Sequence, residues 1–308
     1  MTRPSAEFHY RIAGTASGAF PGNHRSHGGD AGFEFRAHAP LLDAPDARRL
    51  DLRLSLRDPF GNWIVRRFSQ RKSIPVVLVA DLSASMGFVG AQRKLDVLAD
   101  FAQSLALSAW RTGDSFGFIG CDEAWRADLA LPQTRRRGAG VWLAESLRVL
   151  EPQGRSAVGL RDAHLHLPRQ RSLVFLASDF HVPLAELGEV LASMAAHDVV
   201  PVVLWQQAEF ALGATRGLAQ AREPESGQRQ WLWWRPALRE RWAGALQARR
   251  AALLELFGSQ HRAPLFIEGA FDAEAVTRHF LLSKCGSATL LNPPGGRTTY
   301  AVGLGALS

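Results

Sequence analysis

The stretch that decides the fold is Ile74-Pro-Val-Val-Leu-Val-Ala80, followed at once by the polar loop Asp81-Leu-Ser83-Ala-Ser85. An unbroken apolar run of this length is typical of a strand that is buried on both faces, as in a parallel sheet covered by helices. Residues 173–177 and 199–204 form two further runs of the same kind. These three runs predict neighbouring central strands of one sheet.

Segments with helical periodicity lie between the apolar runs. Strands that alternate with helices indicate a parallel sheet, with helices packed on both sides. The sequence therefore predicts a three-layer, Rossmann-like α/β domain over residues 74–284. The helices are expected at residues 94–110, 141–150, 158–166, 184–196, 235–257 and 272–282, and the remaining strands at 115–120, 124–131 and 263–267, with a hairpin at 218–233.

The two ends of the chain have a different pattern. Apolar and polar residues alternate at 8–12, 50–56 and 63–68, which is the period of a half-buried strand. We therefore expect residues 1–73 to form an N-terminal β-rich module without helices. Residues 285–308 are rich in glycine and proline and are expected to form a C-terminal tail.

Composition excludes several classes of protein. The 308 residues are 46% apolar and 21% charged, which is ordinary for a folded globular chain and argues against disorder. Cys121 and Cys285 cannot form a disulfide framework, so a reducing compartment is favoured. The start of the chain does not resemble a signal peptide, and no apolar run is long enough for a membrane span. A cytoplasmic protein is expected.

The net charge of +7 is unevenly distributed along the chain. Residues 1–73 and 214–308 each carry +5, whereas residues 74–213 carry −3. Basic flanks leave nucleic-acid binding open as an alternative function. Aromatic and basic residues are not interleaved as in an RNA-binding motif, however, and a solvated, arginine-rich surface explains the charge more simply.

Polar side chains follow two of the central strands. Asp81, Ser83 and Ser85 come directly after the first apolar run, and Asp179 follows the second. Because the carboxyl ends of parallel strands form the ligand crevice of such a sheet, these groups should meet there. Ser156 precedes a predicted helix and adds a further hydroxyl. Oxygen ligands of this kind suit Mg²⁺, or Mn²⁺ in its place, and such a site can stay empty until a partner completes it.

The spacing resembles the metal-ion-dependent adhesion site of von Willebrand factor A domains, whose motif is Asp-x-Ser-x-Ser, then a distant Thr, then a distant Asp. Asp81, Ser83, Ser85 and Asp179 match that motif, and Ser156 stands where Thr is usual. By element order the resemblance covers residues 74–282. It implies a metal site that binds a partner's carboxylate.

Segments upstream of this motif indicate which family the chain resembles. Gly32-Phe-Glu-Phe35, Asp46-Ala-Arg-Arg-Leu-Asp51, Arg57 and Val65-Arg-Arg-Phe68 are similar to the bacterial family of unknown function that accompanies MoxR-type AAA+ ATPases. That family typically has the signature Gly-Asp-Asp-x-Arg-x-Ile-Asp-Trp before its von Willebrand-like domain. Here Asp46, Leu50 and Asp51 correspond to it, but Leu52 replaces the Trp and Ala44-Pro45 replaces the Gly-Asp pair, which is typical of a divergent member. The resemblance implies a non-enzymatic, protein-binding component that works with such an ATPase and a client protein in assembly or maturation.

Other interpretations of these residues remain open at this stage. Asp81 and Ser83 could only cap a turn, and Ser156 could only cap a helix. A metal-assisted hydrolase is the enzymatic alternative, but the sequence does not nominate a general base, and Asp179 with His181 on one loop makes a serine triad awkward. Lys94 and Asp96 are expected to be solvated residues of a helix.

Overall fold

The computed structural model describes residues 6–11, 21–25, 34–69, 71–210, 217–222, 229–234, 236–259 and 263–282. Cys285 and the predicted tail at 285–308 lie outside these ranges. The strands are β1 (Pro21–Arg25), β2 (Glu34–Pro40), β3 (Ile64–Ser69), β4 (Arg71–Lys72), β5 (Pro75–Asp81), β6 (Ser115–Cys121), β7 (Leu131–Thr134), β8 (Leu173–Ser178), β9 (Asp198–Trp205), β10 (Gly217–Arg222), β11 (Arg229–Trp234) and β12 (Leu265–Glu268).

Helices occupy most of the segments where the sequence predicts them. They are α1 (Leu52–Ser55), α2 (Lys94–Thr112), α3 (Ala139–Val149), α4 (Leu184–Ser193), α5 (Gln207–Phe210), α6 (Pro236–Ser259) and α7 (Ala273–Leu282). The last of these begins as expected, because the Asp272 carboxylate accepts a hydrogen bond from the backbone N–H of Glu274 at 2.9 Å. Among the described helices, none is long and apolar enough to cross a bilayer.

The central sheet has the order β12-β9-β8-β5-β6-β7, and only β7 runs antiparallel to its neighbour. The predicted central strands β5, β8 and β9 are adjacent, with Val79 paired to Ile119 on one side and to Leu176 on the other. The chain leaves β5 towards β6 and β7, and returns to β8 on the opposite side. The strand order therefore reverses between β5 and β8, which makes this the switch point of the sheet.

Helical layers cover both faces of this sheet. Alternate residues of β5 face opposite sides, so Val76 and Leu78 pack with Phe101 of α2, whereas Val77 and Val79 pack with residues of α4 and α6. All residues of β5 and β8 are buried, as their apolar sequence predicts. The three-layer α/β prediction is confirmed.

Two segments, one after β6 and one after α3, differ from the prediction. The strand expected at 124–131 starts only at Leu131, and the helix expected at 158–166 consists of two short 3₁₀ turns, Val158–Arg161 and Ala163–His166. The backbone of Gly159 lies against Ala124, so close that a Cβ there would approach within 2.7 Å, and its N–H donates to the Asp122 carbonyl. This contact ties the segment to the loop after β6 and prevents a regular helix.

The strand expected at residues 8–12 is also wrong over its described part, residues 8–11, and residue 12 lies outside the described ranges. Residues 6–11 have no regular structure and extend over the α/β domain, where Phe8 and Tyr10 are buried in its core. The Phe8 ring stacks on Phe101 with centroids 5.7 Å apart, and the Tyr10 hydroxyl donates to Asp114 at 2.6 Å. The alternation of apolar residues therefore reflects an extended segment with one buried side.

The expected strand at 50–56 is replaced by α1, so the prediction that the N-terminal module lacks helices is wrong. The Asp51 side chain caps this helix by accepting from the N–H of Leu54 at 3.1 Å, and it also pairs with Arg66 at 2.8 Å. These bonds favour a helical turn over a strand. Antiparallel pairs β1–β4 and β2–β3 supply the β structure of the module, and its boundary at residue 73 remains a proposal.

A candidate metal centre at the switch point of the sheet

Two of the predicted site residues stand at the ends of the two central strands. Asp81 is the last residue of β5, and Asp179 follows the last residue of β8. These strands are hydrogen-bonded neighbours, with Ala80 opposite Ala177. Their carboxyl ends form the crevice in which ligands of open α/β sheets bind. Both carboxylates are almost completely buried there.

The loop after β5 brings two hydroxyls together. Asp81 Oδ1 accepts from the Ser83 N–H at 2.9 Å and so closes a tight turn. The Ser83 and Ser85 hydroxyl oxygens lie 3.1 Å apart, and both side chains are buried. Ser83 precedes the 3₁₀ turn Ala84–Gly87, but its side chain forms no capping bond there. The Asp81 carboxylate therefore holds the turn, whereas the Ser83 hydroxyl does not cap it and instead lies beside the Ser85 hydroxyl.

Ser156 lies on a segment that contacts this loop. Gly154 pairs with Ser83 as an isolated bridge, and its carbonyl accepts from the Ala84 N–H at 2.8 Å. Ser156 follows two residues later and is half-buried. The residue at the cap position of the next turn is Ala157, so the structure does not assign Ser156 the capping role.

The electrostatics of the crevice are dominated by its buried carboxylates. Burial and the neighbouring charge of Asp179 raise the pKa of Asp81 to about 6. Hydrogen bonds from the Ser83 N–H and from the Ser178 hydroxyl, at 2.7 Å, oppose this rise only in part. An acid whose pKa is raised in this way would gain from a nearby cation.

The prediction that Lys94 is a solvated helix residue is wrong. Its side chain is fully buried at the start of α2, and its Nζ donates to Asp179 Oδ2 at 2.8 Å. The same ammonium donates to Glu209 of α5. Burial raises the pKa of Asp179, but the Lys94 ammonium and the other groups around that carboxylate bring the pKa below its ordinary value. Asp96 is partly exposed, as expected.

The turn that carries Asp179 is strained and held from several sides. Phe180 has a φ of +52°, which a bulky residue rarely adopts, and its N–H donates to the Ser178 hydroxyl at 2.9 Å. Trp205 Nε1 donates to the Asp179 carbonyl at 2.9 Å. The Arg249 guanidinium of α6 donates to the carbonyls of Phe180 and Val182. These bonds fix the position of the Asp179 carboxylate.

A second group of candidate ligands adjoins the first. One ligand atom from each of Asp179, His181 and Glu209 lies within 4.8 Å of the others, which makes these three residues a possible metal-binding triad. His181 Nε2 is 3.6 Å from Glu209 Oε1. Burial lowers the pKa of His181, but the nearby Glu209 and Asp179 carboxylates outweigh it and raise that pKa above its ordinary value.

Sequence reasoning missed Glu209 and the role of Lys94. Glu209 follows the end of β9, so a search for acids beyond the third apolar run would have found it. Lys94 gives a weaker signal, because a lysine at the start of an amphipathic helix is usually solvated.

The chemistry of the residues fits a hard divalent cation. The crevice offers the carboxylates of Asp81 and Asp179 and the hydroxyls of Ser83 and Ser85, which are oxygen donors of the kind Mg²⁺ and Mn²⁺ prefer. The Lys94 ammonium compensates Asp179 and Glu209, whereas the pKa of Asp81 stays raised by burial and by the charge of Asp179. A cation would offset the repulsion that raises the pKa of Asp81.

The strand order, the crevice at the switch point and the Asp-x-Ser-x-Ser loop define a von Willebrand factor A-like α/β domain. The chain belongs to the family described as "Protein of unknown function DUF58", which matches residues 43–252. That match covers both the capped α1 segment and the loop from Asp81 to Ser85.

The chain is also similar to individual proteins. An "Uncharacterized protein in moxR 3'region" of Paracoccus denitrificans is 34% identical over 101 residues, which are 33% of this chain and 96% of the relative. Among solved structures, BatB of Bacteroides thetaiotaomicron has a TM-score of 0.44 at 12% identity, over 70% of this chain and 99% of BatB. The SpRpn10 VWA domain has a TM-score of 0.37 at 12% identity, over 67% and 95% of the two chains.

Proposed function

We propose that this chain recognises a partner protein through a divalent cation, Mg²⁺ or Mn²⁺, at the switch point of the sheet. Ser83 and Ser85 would hold the ion, with Asp81 and Asp179 beside them and Ser156 as a further hydroxyl. The observation that supports this most is the meeting of two repelling, buried carboxylates with a pair of hydroxyls 3.1 Å apart. Bound there, the ion would supply a Lewis-acidic position for a carboxylate of the partner.

The partner that we propose is a MoxR-type AAA+ ATPase, together with a client protein that the two assemble or mature in the cytoplasm. The relative from Paracoccus denitrificans is named for its position in the moxR 3' region, which supports this pairing. The membership of the family adds support, because the upstream signature residues Asp46 and Asp51 lie inside the matched range.

We propose binding rather than catalysis because the crevice carboxylates are engaged internally. Asp81 accepts bonds from Ser83 and Ser178, and Asp179 accepts one from Lys94, which leaves neither as an evident general base for a metal-assisted hydrolase.

Nucleic-acid binding through the basic flanks has less support. Several described arginines of these flanks are paired with carboxylates, which reduces the charge available to phosphates. These pairs are Arg49 with Asp46, Arg66 with Asp51, and Arg250 with Glu268.

The substitution Asp81→Ala tests the proposal directly. It should abolish Mn²⁺ binding measured by calorimetry and the Mg²⁺-dependent part of binding to the purified MoxR-type ATPase of the same organism. EDTA should have the same effect on the wild type. Glu151→Ala, which removes an equal charge at an exposed position, is the matched control and should bind like the wild type. Equal metal and ATPase affinities for the wild type and Asp81→Ala would show that Asp81 is only a turn residue.

A further inference from the structure

Lys94 is the most unusual charged residue of the described chain. Its ammonium is completely removed from solvent, which is costly unless carboxylates compensate it. Asp179 and Glu209 provide this compensation, and the Phe88 ring lies 5.8 Å from Nζ. Lys94 thus lies between Asp179 and Glu209, two of the three residues of the possible metal triad. Its own ammonium already supplies a positive charge to these carboxylates.

The same ammonium acts on the predicted divalent cation site through a shared carboxylate. Asp179 accepts a hydrogen bond from Lys94, the Ser85 hydroxyl helps to lower the pKa of the same carboxylate, and the charge of Asp179 also acts on Asp81. Any cation beside Ser83 and Ser85 therefore shares Asp179 with Lys94. Two positive charges that act on the same carboxylate in a buried crevice repel each other.

We infer that Lys94 is a tethered cation that keeps metal ions out of the Asp179, His181 and Glu209 triad and lowers the divalent-cation affinity of the Asp81, Ser83 and Ser85 loop. This inference rests on the proposed function, because it concerns the regulation of the same site. Its consequence is that firm metal binding requires an additional anionic ligand, which a partner's carboxylate provides. A metal site weakened in this way couples metal binding to partner recognition.

The test is the Mn²⁺ affinity of the purified full chain, measured by calorimetry and by the Mn²⁺ electron paramagnetic resonance signal. Lys94→Met removes the charge and keeps an unbranched side chain, and it should bind Mn²⁺ about tenfold more tightly or better. Lys94→Arg keeps the charge and should bind like the wild type. Glu209→Gln should bind several-fold more weakly, because the ammonium then acts on Asp179 alone.

A second pair of variants keeps the test valid if Lys94→Met does not fold. Lys94→Met combined with Glu209→Gln removes the ammonium and one of its two carboxylates together, so less charge is left unpaired. This double variant should bind Mn²⁺ more tightly than Glu209→Gln alone. Thermal unfolding followed by circular dichroism establishes that each variant is folded.

The outcomes separate this inference from the proposed function. If Asp81→Ala abolishes the wild type's Mn²⁺ binding but Lys94→Met binds no more tightly, the role of Lys94 is overturned and the proposed function stands. If no variant binds Mn²⁺, including Lys94→Met, the role of Lys94 is overturned, and the Mg²⁺-dependent binding of the ATPase decides the proposed function separately. If Lys94→Met binds Mn²⁺ more tightly than the wild type and keeps this higher affinity when Asp81→Ala is added, the ion binds in the triad. That result would overturn the effect of Lys94 on the Asp81, Ser83 and Ser85 loop. A higher Mn²⁺ affinity of Lys94→Met that is lost when Asp81→Ala is added supports the inference.

Discussion

At the scale of the residue, Asp81 combines two opposing roles. Its carboxylate organises the loop through bonds with Ser83 and Ser178, yet burial and Asp179 make its charge unfavourable. A pKa raised to about 6 means that the folded protein binds a proton more tightly than the unfolded chain does. The stabilising contribution of this group is therefore complete below about pH 4 and is lost as the pH rises through about 6.

Asp81→Asn should remove that pH dependence in metal-free protein. The amide keeps an acceptor for the Ser83 N–H and can donate to the Ser178 hydroxyl, so the loop should persist. At pH 8 the variant should be more stable than the wild type by roughly 3 kcal/mol, and the difference should shrink towards pH 4. Urea unfolding in EDTA at several pH values measures this. A wild type that is equally stable or more stable at pH 8 would contradict the unfavourable charge of Asp81.

At the scale of the element, residues 6–11 contribute to the α/β domain although they precede its first strand by many residues. Phe8 lies among Phe101, Phe175 and Phe271, and its N–H donates to the Ser108 hydroxyl at 2.9 Å. The segment is therefore a structural part of the layer formed by α2 and α7. The core on this side of the sheet is incomplete without it.

Phe8→Ala should destabilise the protein by about 3 kcal/mol, because it leaves a cavity among aromatic side chains of the core. His9→Ala is the matched control, since the neighbouring side chain is exposed and the bond of its N–H to Thr277 is kept. Chemical unfolding of the two variants measures the difference. Equal stabilities would mean that the segment is not packed into the core in solution.

At the scale of the whole molecule, elements distant in sequence position the crevice. The Asp179 turn follows β8, yet the bonds that hold its strained Phe180 come from Trp205 in β9 and Arg249 in α6. The crevice therefore depends on the packing of α6 against the sheet. Strain of this kind persists only where the surrounding structure determines the turn from several sides.

Arg249→Lys should weaken Mn²⁺ binding several-fold by loosening the turn that presents Asp179. The lysine keeps a positive charge near Asp179 but cannot reproduce the guanidinium bonds to the carbonyls of both Phe180 and Val182. Arg250→Lys is the control, because the adjacent guanidinium pairs with Glu268 at a partly exposed position. Calorimetry with Mn²⁺ on both variants measures the effect, and circular dichroism checks that both are folded. Unchanged affinity in Arg249→Lys would show that the turn holds Asp179 without these bonds from α6.

How much of the fold and of the crevice the sequence predicts depends on whether the interactions involved are local or join distant parts of the chain. The apolar runs at β5, β8 and β9 required burial on both faces, so the parallel sheet followed from local composition. The meeting of Asp81 with Asp179 followed from the common edge of parallel strands. The strand predictions for residues 8–12 and 50–56 were wrong for different reasons. In the first segment, the same alternation suits an extended peptide packed against a core. In the second, the Asp51 cap favours a helical turn over a strand.

By itself, the sequence determined the layer architecture and the carboxylates and hydroxyls of the crevice, because strand burial and strand ends are local properties of the chain. Only the tertiary structure decided the role of Lys94 and the inclusion of Glu209 beside it. The physical reason is that whether a lysine is solvated or buried depends on what the rest of the fold places around it. Here α5, after β9, brings a second carboxylate to an ammonium that begins α2, and neither residue's sequence neighbourhood contains that information.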